Sequence, residues 1–158
     1  MYEAVEKTDV QVSKNIFPAE AWELISTEDK EDLVILDVST PMEYRGLHLQ
    51  GAINVSLFSR FFKARLGMMD REKTYVVYCK VGGRSSIVQK MMARMGFRRV
   101  YNVIGGTMLW EDEGLPFAQG TGGTNISSFC PVVASLTAYK KVKTMLRGTC
   151  SCFAREEG

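Results

Sequence analysis

Two short, unbroken apolar segments constrain the fold more than any other feature of this chain. Residues 33–39 read LVILDVS and residues 74–79 read TYVVYC, and segments with a helical spacing of apolar residues follow each of them. A strand that is apolar on both faces is typical of a parallel sheet covered by helices. Further strands are indicated by AINVS and VYNVIGG, and helices by PMEYRGL, LFSRFFKARLG, SSIVQKMMARMG and TMLWEDEGLP. In NIFPAEAWELIS, an extended Ile16-Phe17 is expected to precede a helix that begins at Pro18. This alternation predicts an α/β fold with a mainly parallel central sheet flanked by helices.

The composition argues against several classes of partner. The 158 residues are 46% apolar, enough for one core, and 20 basic residues nearly balance 18 acidic ones. We therefore expect neither nucleic acid nor a membrane as partner. The first residues do not resemble a signal peptide, and no run of about 18 apolar residues occurs, so a cytoplasmic location is expected. Four cysteines are then expected to be thiols rather than disulfides, and no metal site is predicted.

The segment after the second apolar strand has the composition of an anion-binding loop. Cys79 ends that strand, and KVGGRS leads directly into a helix. Gly82 and Gly83 permit backbone angles that allow several N–H groups to point at one atom. These groups, the helix N-terminus and the positive charges of Lys80 and Arg84 are expected to lower the pKa of Cys79 below about 8.5. The sequence therefore predicts a nucleophilic thiolate at Cys79.

The helix after this loop has predicted ends and a predicted buried face. Ser85 or Ser86 is expected to cap its N-terminus, and Gly96 to end it. The apolar face is predicted to consist of residues at helical spacing, namely Ile87, Val88, Met91, Met92 and Met95.

Three blocks, in order along the chain, share a pattern with one known family. CKVGGRS is similar to an active loop of the form C-x-x-G-x-R-S. LVILDVSTPMEYRGLHLQGAINVS and NVIGGTMLWEDEGLP are similar to the blocks that precede and follow this loop. The family is that of the single-domain rhodaneses, sulfurtransferases that carry sulfane sulfur as a cysteine persulfide. The resemblance extends from residue 16 to about 118.

This resemblance implies a fold, an activity and a site. It implies a rhodanese domain at residues 15–119 after an N-terminal lead at residues 1–14. Cys79 would be the sulfur-accepting nucleophile of a rhodanese-type sulfurtransferase that needs no cofactor. The donor would be thiosulfate or a persulfide, and the acceptor a small thiol, cyanide or a protein. The pocket would be lined by the active loop, Lys80, Val81, Gly82, Gly83, Arg84 and Ser85.

Two positions depart from the family pattern. Ser39 stands where the family usually has arginine, which removes a positive charge near the pocket and weakens a specific prediction of thiosulfate. Leu47 stands where the family usually has glycine, which bears on backbone geometry rather than on chemistry. Neither position belongs to the cysteine loop.

Arg84 and His48 each have two possible roles. Arg84 either contacts substrate or ties the loop to Asp37 or Glu43, the two acids predicted to support the site. His48, the only histidine, is a candidate general base for Cys79, although its position matches a family residue that shapes the turn into a strand. Trp110 is expected to pack in the core.

Residues 120–158 are predicted to form a Gly-rich linker and a basic amphipathic helix. This helix would dock on the domain or on a partner, with its lysines in solvent. Cys130 precedes Pro131 at the start of the helix, which is similar to small sulfur-carrier proteins. Cys130 is therefore a candidate second thiol, and it or the pair Cys150 and Cys152 would receive sulfur from Cys79 or form a disulfide with it.

Two alternative functions remain open at the sequence level. A phosphatase or arsenate reductase on the same fold also attacks with a cysteine, but four residues separate Cys79 from Arg84, one fewer than in those loops. A non-catalytic partner-binding module would not require the intact cysteine loop.

Overall fold

The computed structural model describes residues 10–121, and every structural statement below concerns this range. Its strands form one parallel sheet in the order β1-β5-β4-β2-β3, which confirms the predicted α/β class. The elements in chain order are β1 Val12–Ile16, α1 Pro18–Thr27, β2 Leu33–Asp37, α2 Pro41–Gly46, β3 Ile53–Asn54, α3 Phe62–Gly67, β4 Thr74–Tyr78, α4 Gly83–Arg94, β5 Arg99–Val103 and α5 Gly106–Asp112.

Several predictions concern residues outside this range. They are the basic helix and most of its linker, together with Cys130, Cys150 and Cys152. The division of the chain into a lead, a domain and an extension stays a prediction. Within residues 10–121, no helix combines the length and the apolar character that crossing a membrane requires.

The central strand β4 positions the cysteine loop. All five of its residues are buried, and it pairs with β2 on one side and β5 on the other. Phe62 and Leu66 of α3 and Val88 and Met92 of α4 pack in one core cluster with Val77 of β4. Because ligands collect at the carboxyl ends of parallel strands, the residue that follows β4 lies where a site is expected.

Strand β1 was not predicted beyond an extended Ile16-Phe17. It pairs with β5 at one edge of the sheet, and its three central residues are exposed and polar. Since its stability comes from main-chain pairing rather than from apolar side chains, the strand leaves no apolar pattern in the sequence. Phe17 is not part of the strand; it is the N-cap residue of α1.

Two helices begin at different residues from those predicted. α4 begins at Gly83, after Gly82 in a left-handed conformation, so neither Ser85 nor Ser86 is its cap. Its buried face consists of Ser85, Val88, Gln89 and Met92, while Ile87 is exposed, contrary to the prediction. α3 begins at Phe62 rather than at Leu57, because turns occupy the preceding residues.

Candidate active site

The loop after β4 folds back onto the sulfur of Cys79. The backbone N–H of Gly82 donates to Cys79 Sγ at 3.1 Å, and the hydroxyl of Ser85 lies 3.5 Å from the same sulfur. Gly82 has φ +89, and a Cβ there would lie 3.0 Å from the backbone nitrogen of Gly105. The tight turn therefore requires glycine at this position, as the sequence predicted.

The environment of Cys79 has opposing effects on its pKa. Burial raises the pKa, and hydrogen bonds from the side chain and backbone of Ser85 and from the backbone of Val81 and Gly82 lower it. The hydrogen bonds outweigh burial, so the pKa of the Cys79 thiol is lowered from its ordinary value. The negatively charged form of the sulfur is the one that this loop favours.

Helix α5 holds the start of the loop from behind. The backbone N–H of Thr107 donates to the carbonyl of Cys79 at 3.0 Å, and that of Met108 donates to the carbonyl of Lys80 at 3.1 Å. A Cβ on Gly106, which has φ +55, would lie 2.0 Å from the Cys79 carbonyl oxygen. These contacts hold the carbonyls of Cys79 and Lys80 against the start of α5. Sequence reasoning did not assign this role, although both Gly105 and Gly106 belong to the block NVIGGTMLWEDEGLP that follows the loop.

Arg84 is tied to Glu43. Its two terminal nitrogens donate to the two carboxylate oxygens of Glu43 at 2.8 and 2.7 Å, and the backbone N–H and hydroxyl of Thr40 also donate to that carboxylate. The pKa of Arg84 is raised chiefly by Glu43 and to a smaller extent by Cys79. Of the two acids predicted as partners of Arg84, the structure selects Glu43 rather than Asp37.

The variant Glu43→Gln is expected to lower the free energy of unfolding at neutral pH by about 1 kcal/mol, because solvent screens this partly exposed ion pair. Arg84 is the main reason that the pKa of Glu43 is lowered from 4.5 to about 2. A carboxyl with a depressed folded-state pKa contributes stability that is complete above its unfolded pKa and is lost as pH falls through the folded value. In urea unfolding, the difference from wild type should therefore shrink between pH 4.5 and about 2.

The matched control is Glu72→Gln. Glu72 pairs with Arg98 at 2.8 Å, but its side chain is 65% exposed, against 28% for Glu43. The control should change the free energy of unfolding less than Glu43→Gln does. Equal effects of the two variants, or a difference from wild type that does not depend on pH, would contradict the role given to the Arg84–Glu43 pair.

Asp37 is held by Ser39 rather than by a cation. Its Oδ1 accepts hydrogen bonds from the backbone N–H of Ser39, at 2.7 Å, and from the Ser39 hydroxyl. Burial raises the pKa of Asp37, and the hydrogen bonds from Ser39, with smaller contributions from Tyr78 and His48, only partly oppose this. Asp37 and Ser39 thus form a local buried pair in which serine occupies the position of the usual family arginine.

The contacts of His48 hold the local fold in place. It is buried, its Nδ1 lies 2.7 Å from the carbonyl oxygen of Tyr44, and its ring stacks on the Tyr44 ring with centroids 3.9 Å apart. Its backbone exchanges two hydrogen bonds with Ala118. These contacts agree with a residue that shapes the turn before β3. Trp110 is buried and donates to the carbonyl of Pro116, as expected for a core residue.

A cavity of about 310 Å³ lies beside the cysteine loop. Lys80 of the loop lines it together with Ser39, Glu43, Thr107 and Glu111. Cys79 itself is buried and does not line this cavity. Sequence reasoning identified Lys80, Glu43 and Ser39 near the pocket, and it missed Thr107 and Glu111, which reach the cavity because α5 begins against the loop.

Comparisons with known proteins agree with this geometry. The model of the rhodanese-like domain family matches residues 17–113. The chain belongs to the rhodanese-like domain family. The thiosulfate sulfurtransferase GlpE of Coxiella burnetii is 35% identical over 98 residues, 62% of this chain and 87% of that protein. A sulfurtransferase of Allochromatium vinosum is 28% identical over 94 residues, 60% of this chain and 86% of that protein.

A solved rhodanese-related protein has a similar fold. The structure of a rhodanese-related protein from Thermoplasma volcanium is similar, with a TM-score of 0.57 and 27% identity, over 66% of this chain and 97% of that one. The predicted rhodanese family and the sulfurtransferase class are therefore confirmed.

Proposed function

We propose that the protein moves sulfane sulfur from a donor to a thiophilic acceptor through a persulfide on Cys79. The observation that carries this proposal is the direction of the loop amides. The N–H of Gly82 donates to Sγ at 3.1 Å, and the bonds from the loop lower the pKa of the thiol despite its burial. A cradle that stabilises a thiolate also stabilises the terminal anionic sulfur of a persulfide.

The first step is an attack by the Cys79 thiolate on the outer sulfur of the donor. With thiosulfate, a bond forms between Sγ and the outer sulfur, the S–S bond of thiosulfate breaks, and sulfite leaves with the electron pair. Cys79 is left as a persulfide anion, and no external oxidant or reductant is needed. With a persulfide donor, the leaving group is the donor's thiolate.

The second step regenerates the enzyme. A nucleophile such as cyanide or a thiolate attacks the outer sulfur of the Cys79 persulfide, and the pair of electrons in the S–S bond returns to Sγ. The same loop hydrogen bonds that favour the thiolate make Sγ a good leaving group. Lys80, which lines the neighbouring cavity, supplies positive charge for the incoming anion. A reduced thiol suits the cytoplasmic location that the sequence predicts.

Mass spectrometry tests the proposal. Incubation of the full chain with thiosulfate should add one sulfur atom, and peptide mapping should place it on the peptide that contains Cys79. Addition of cyanide should remove it. If the protein gains no sulfur, or if all of the added sulfur lies on Cys130, Cys150 or Cys152, the proposal is wrong.

The variant Ser85→Ala is expected to lower kcat/KM near neutral pH about fivefold, since a hydrogen bond to a charged group contributes at least about 1 kcal/mol. The Ser85 hydroxyl can donate to Cys79 Sγ or to the carbonyl of Gly82, at 3.5 and 3.1 Å. Without it, the pKa of Cys79 should rise, and activity should recover as pH is raised. The pH dependence of sulfur transfer checks this.

Ser86→Ala is the control for Ser85→Ala. Ser86 is the next residue of α4, is partly exposed, and is not among the residues that lower the pKa of Cys79. Its pH profile should match that of the wild type. A Ser85→Ala profile that keeps the wild-type midpoint would show that this hydroxyl does not stabilise the thiolate.

A further inference from the structure

Five large apolar side chains are exposed on the cysteine loop or on segments that contact the loop or its ion pair. Their exposed fractions lie between 51% and 81%, and they come from five different parts of the chain. We call them the apolar rim, and its members are Met42, Phe58, Val81, Ile87 and Met108.

Two members of the rim belong to the loop or bind it directly. Val81 lies inside the loop and is 58% exposed. Met108 donates its backbone N–H to the carbonyl of Lys80 and lines the same cavity as Lys80. These side chains therefore flank the loop on the side of the cavity.

The other three members lie close to the Arg84–Glu43 ion pair in space or in sequence. The ring centroid of Phe58 lies 6.0 Å from the guanidinium carbon of Arg84. Ile87 lies three residues after Arg84 on α4, so it shares a helix face with it. Met42 directly precedes Glu43 in α2. Since the ion pair joins α2 to α4, it brings together the segments that carry these apolar side chains.

Small sulfur compounds do not account for this surface. Thiosulfate and cyanide are small anions, and they gain nothing from exposed methionine or phenylalanine side chains. Exposed apolar patches near a site are instead typical of protein–protein contacts, and methionine and phenylalanine are enriched in such contacts. The rim therefore indicates a macromolecular partner at the mouth of the site.

The burial of Cys79 and the nearby charges restrict the partner further. Because Cys79 is 0% exposed, a protein thiol reaches its persulfide only from a protruding segment. Two exposed cations, Arg60 and Lys80, lie within two residues of a rim member in sequence. The guanidinium carbon of Arg60 lies 4.6 Å from the centroid of the Phe61 ring. Within residues 10–121, the structure gives neither of them an ion pair, so acidic groups on a partner would complement them.

We infer that the apolar rim docks an acceptor protein whose reactive cysteine stands on a protruding loop between apolar and acidic residues. This inference rests on the proposed function. In the transfer step, the partner's thiolate forms a bond to the outer sulfur of the Cys79 persulfide. The bond from that sulfur to Cys79 Sγ breaks and its electron pair returns to Sγ. The partner leaves as a persulfide, and the proton of its thiol goes to solvent.

The experiment compares two acceptors in two surface variants of the full chain. The rim variant is Met42→Ser with Ile87→Ser, and the control is Met68→Ser with Ile53→Ser. The control removes a methionine that is 88% exposed and an isoleucine that is 46% exposed, both outside the rim. One acceptor is cyanide. The other is a short synthetic peptide with a single central cysteine flanked by leucines and aspartates, used beside a version in which serines replace the leucines.

The wild type and the control should transfer sulfur to the leucine peptide with a kcat/KM about tenfold higher than to the serine peptide, which corresponds to about 1.4 kcal/mol. The rim variant should lose most of this preference while its transfer to cyanide stays unchanged. A wild type without preference, or equal losses in both variants, would overturn the inference. A change in oligomeric state in the rim variant alone, seen by light scattering, would assign the rim to self-association and also overturn it. Absence of transfer from thiosulfate to cyanide by the wild type would contradict the proposed function itself.

Discussion

The variant Cys79→Ser is expected to abolish sulfur transfer from thiosulfate to cyanide, with a loss in kcat/KM of roughly 1,000-fold or more. A serine hydroxyl at this position cannot form a persulfide, and loss of a covalent nucleophile removes the whole two-step route. The surrounding loop should persist, because the backbone N–H of Gly82 and the Ser85 hydroxyl can donate to oxygen as they do to sulfur. Sulfite release and thiocyanate formation measure the two half-reactions separately.

Cys130→Ser provides the comparison. If Cys79 alone carries the sulfur in this reaction, the Cys130 variant should keep wild-type transfer to cyanide. A Cys79→Ser protein that still forms thiocyanate at a wild-type rate would contradict the assignment of Cys79. A Cys130→Ser protein that loses activity would instead show that the second thiol takes part in the reaction.

The variant Gly106→Ala is expected to lower the free energy of unfolding by roughly 2–5 kcal/mol, from a left-handed backbone angle and from overpacking. The new Cβ would lie 2.0 Å from the carbonyl oxygen of Cys79 and 2.7 Å from the carbonyl oxygen of Lys80. Neither atom belongs to a flexible side chain, so the backbone of the loop itself must move. Folded protein should therefore also lose reactivity at Cys79. Urea unfolding and the rate of alkylation at Cys79 measure the two effects.

Gly67→Ala is the matched control for Gly106→Ala. Gly67 ends α3, its φ is not in the left-handed region, and a Cβ there would meet nothing within 4 Å. This change should leave stability equal to that of the wild type or slightly higher. Equal stability of the Gly106→Ala protein and the control would show that α5 does not hold the cysteine loop in the way described.

The parts of the site that the sequence predicted are local in the chain. Cys79, Gly82 and the start of a helix lie within a few residues of one another, so the chemistry of the loop could be read from adjacent residues. The parts that it left open depend on contacts between distant segments. Arg84 and Glu43 are 41 positions apart, and local patterns cannot decide whether Arg84 meets Glu43 or Asp37. The support from α5 was missed for the same reason.

The strands also differ in how well the local sequence predicts them. β2 and β4 were predicted because burial on both faces gives a continuous apolar run. β1 was not, since an edge strand with polar exposed residues is held by its hydrogen bonds to β5. Ile87 was wrongly predicted to lie on the buried face of α4. Two of the residues that are buried there, Ser85 and Gln89, are polar, and hydrophobicity alone does not mark polar residues as buried.

The pH dependence of alkylation at Cys79, followed by peptide mass spectrometry, tests the central claim most directly. Peptide mapping separates Cys79 from the other three cysteines, so the midpoint of its rate profile reports the pKa of this thiol. The hydrogen bonds from Ser85, Val81 and Gly82 predict a midpoint below the ordinary value for cysteine. A midpoint at or above that value would contradict the claim that the loop stabilises an anionic sulfur.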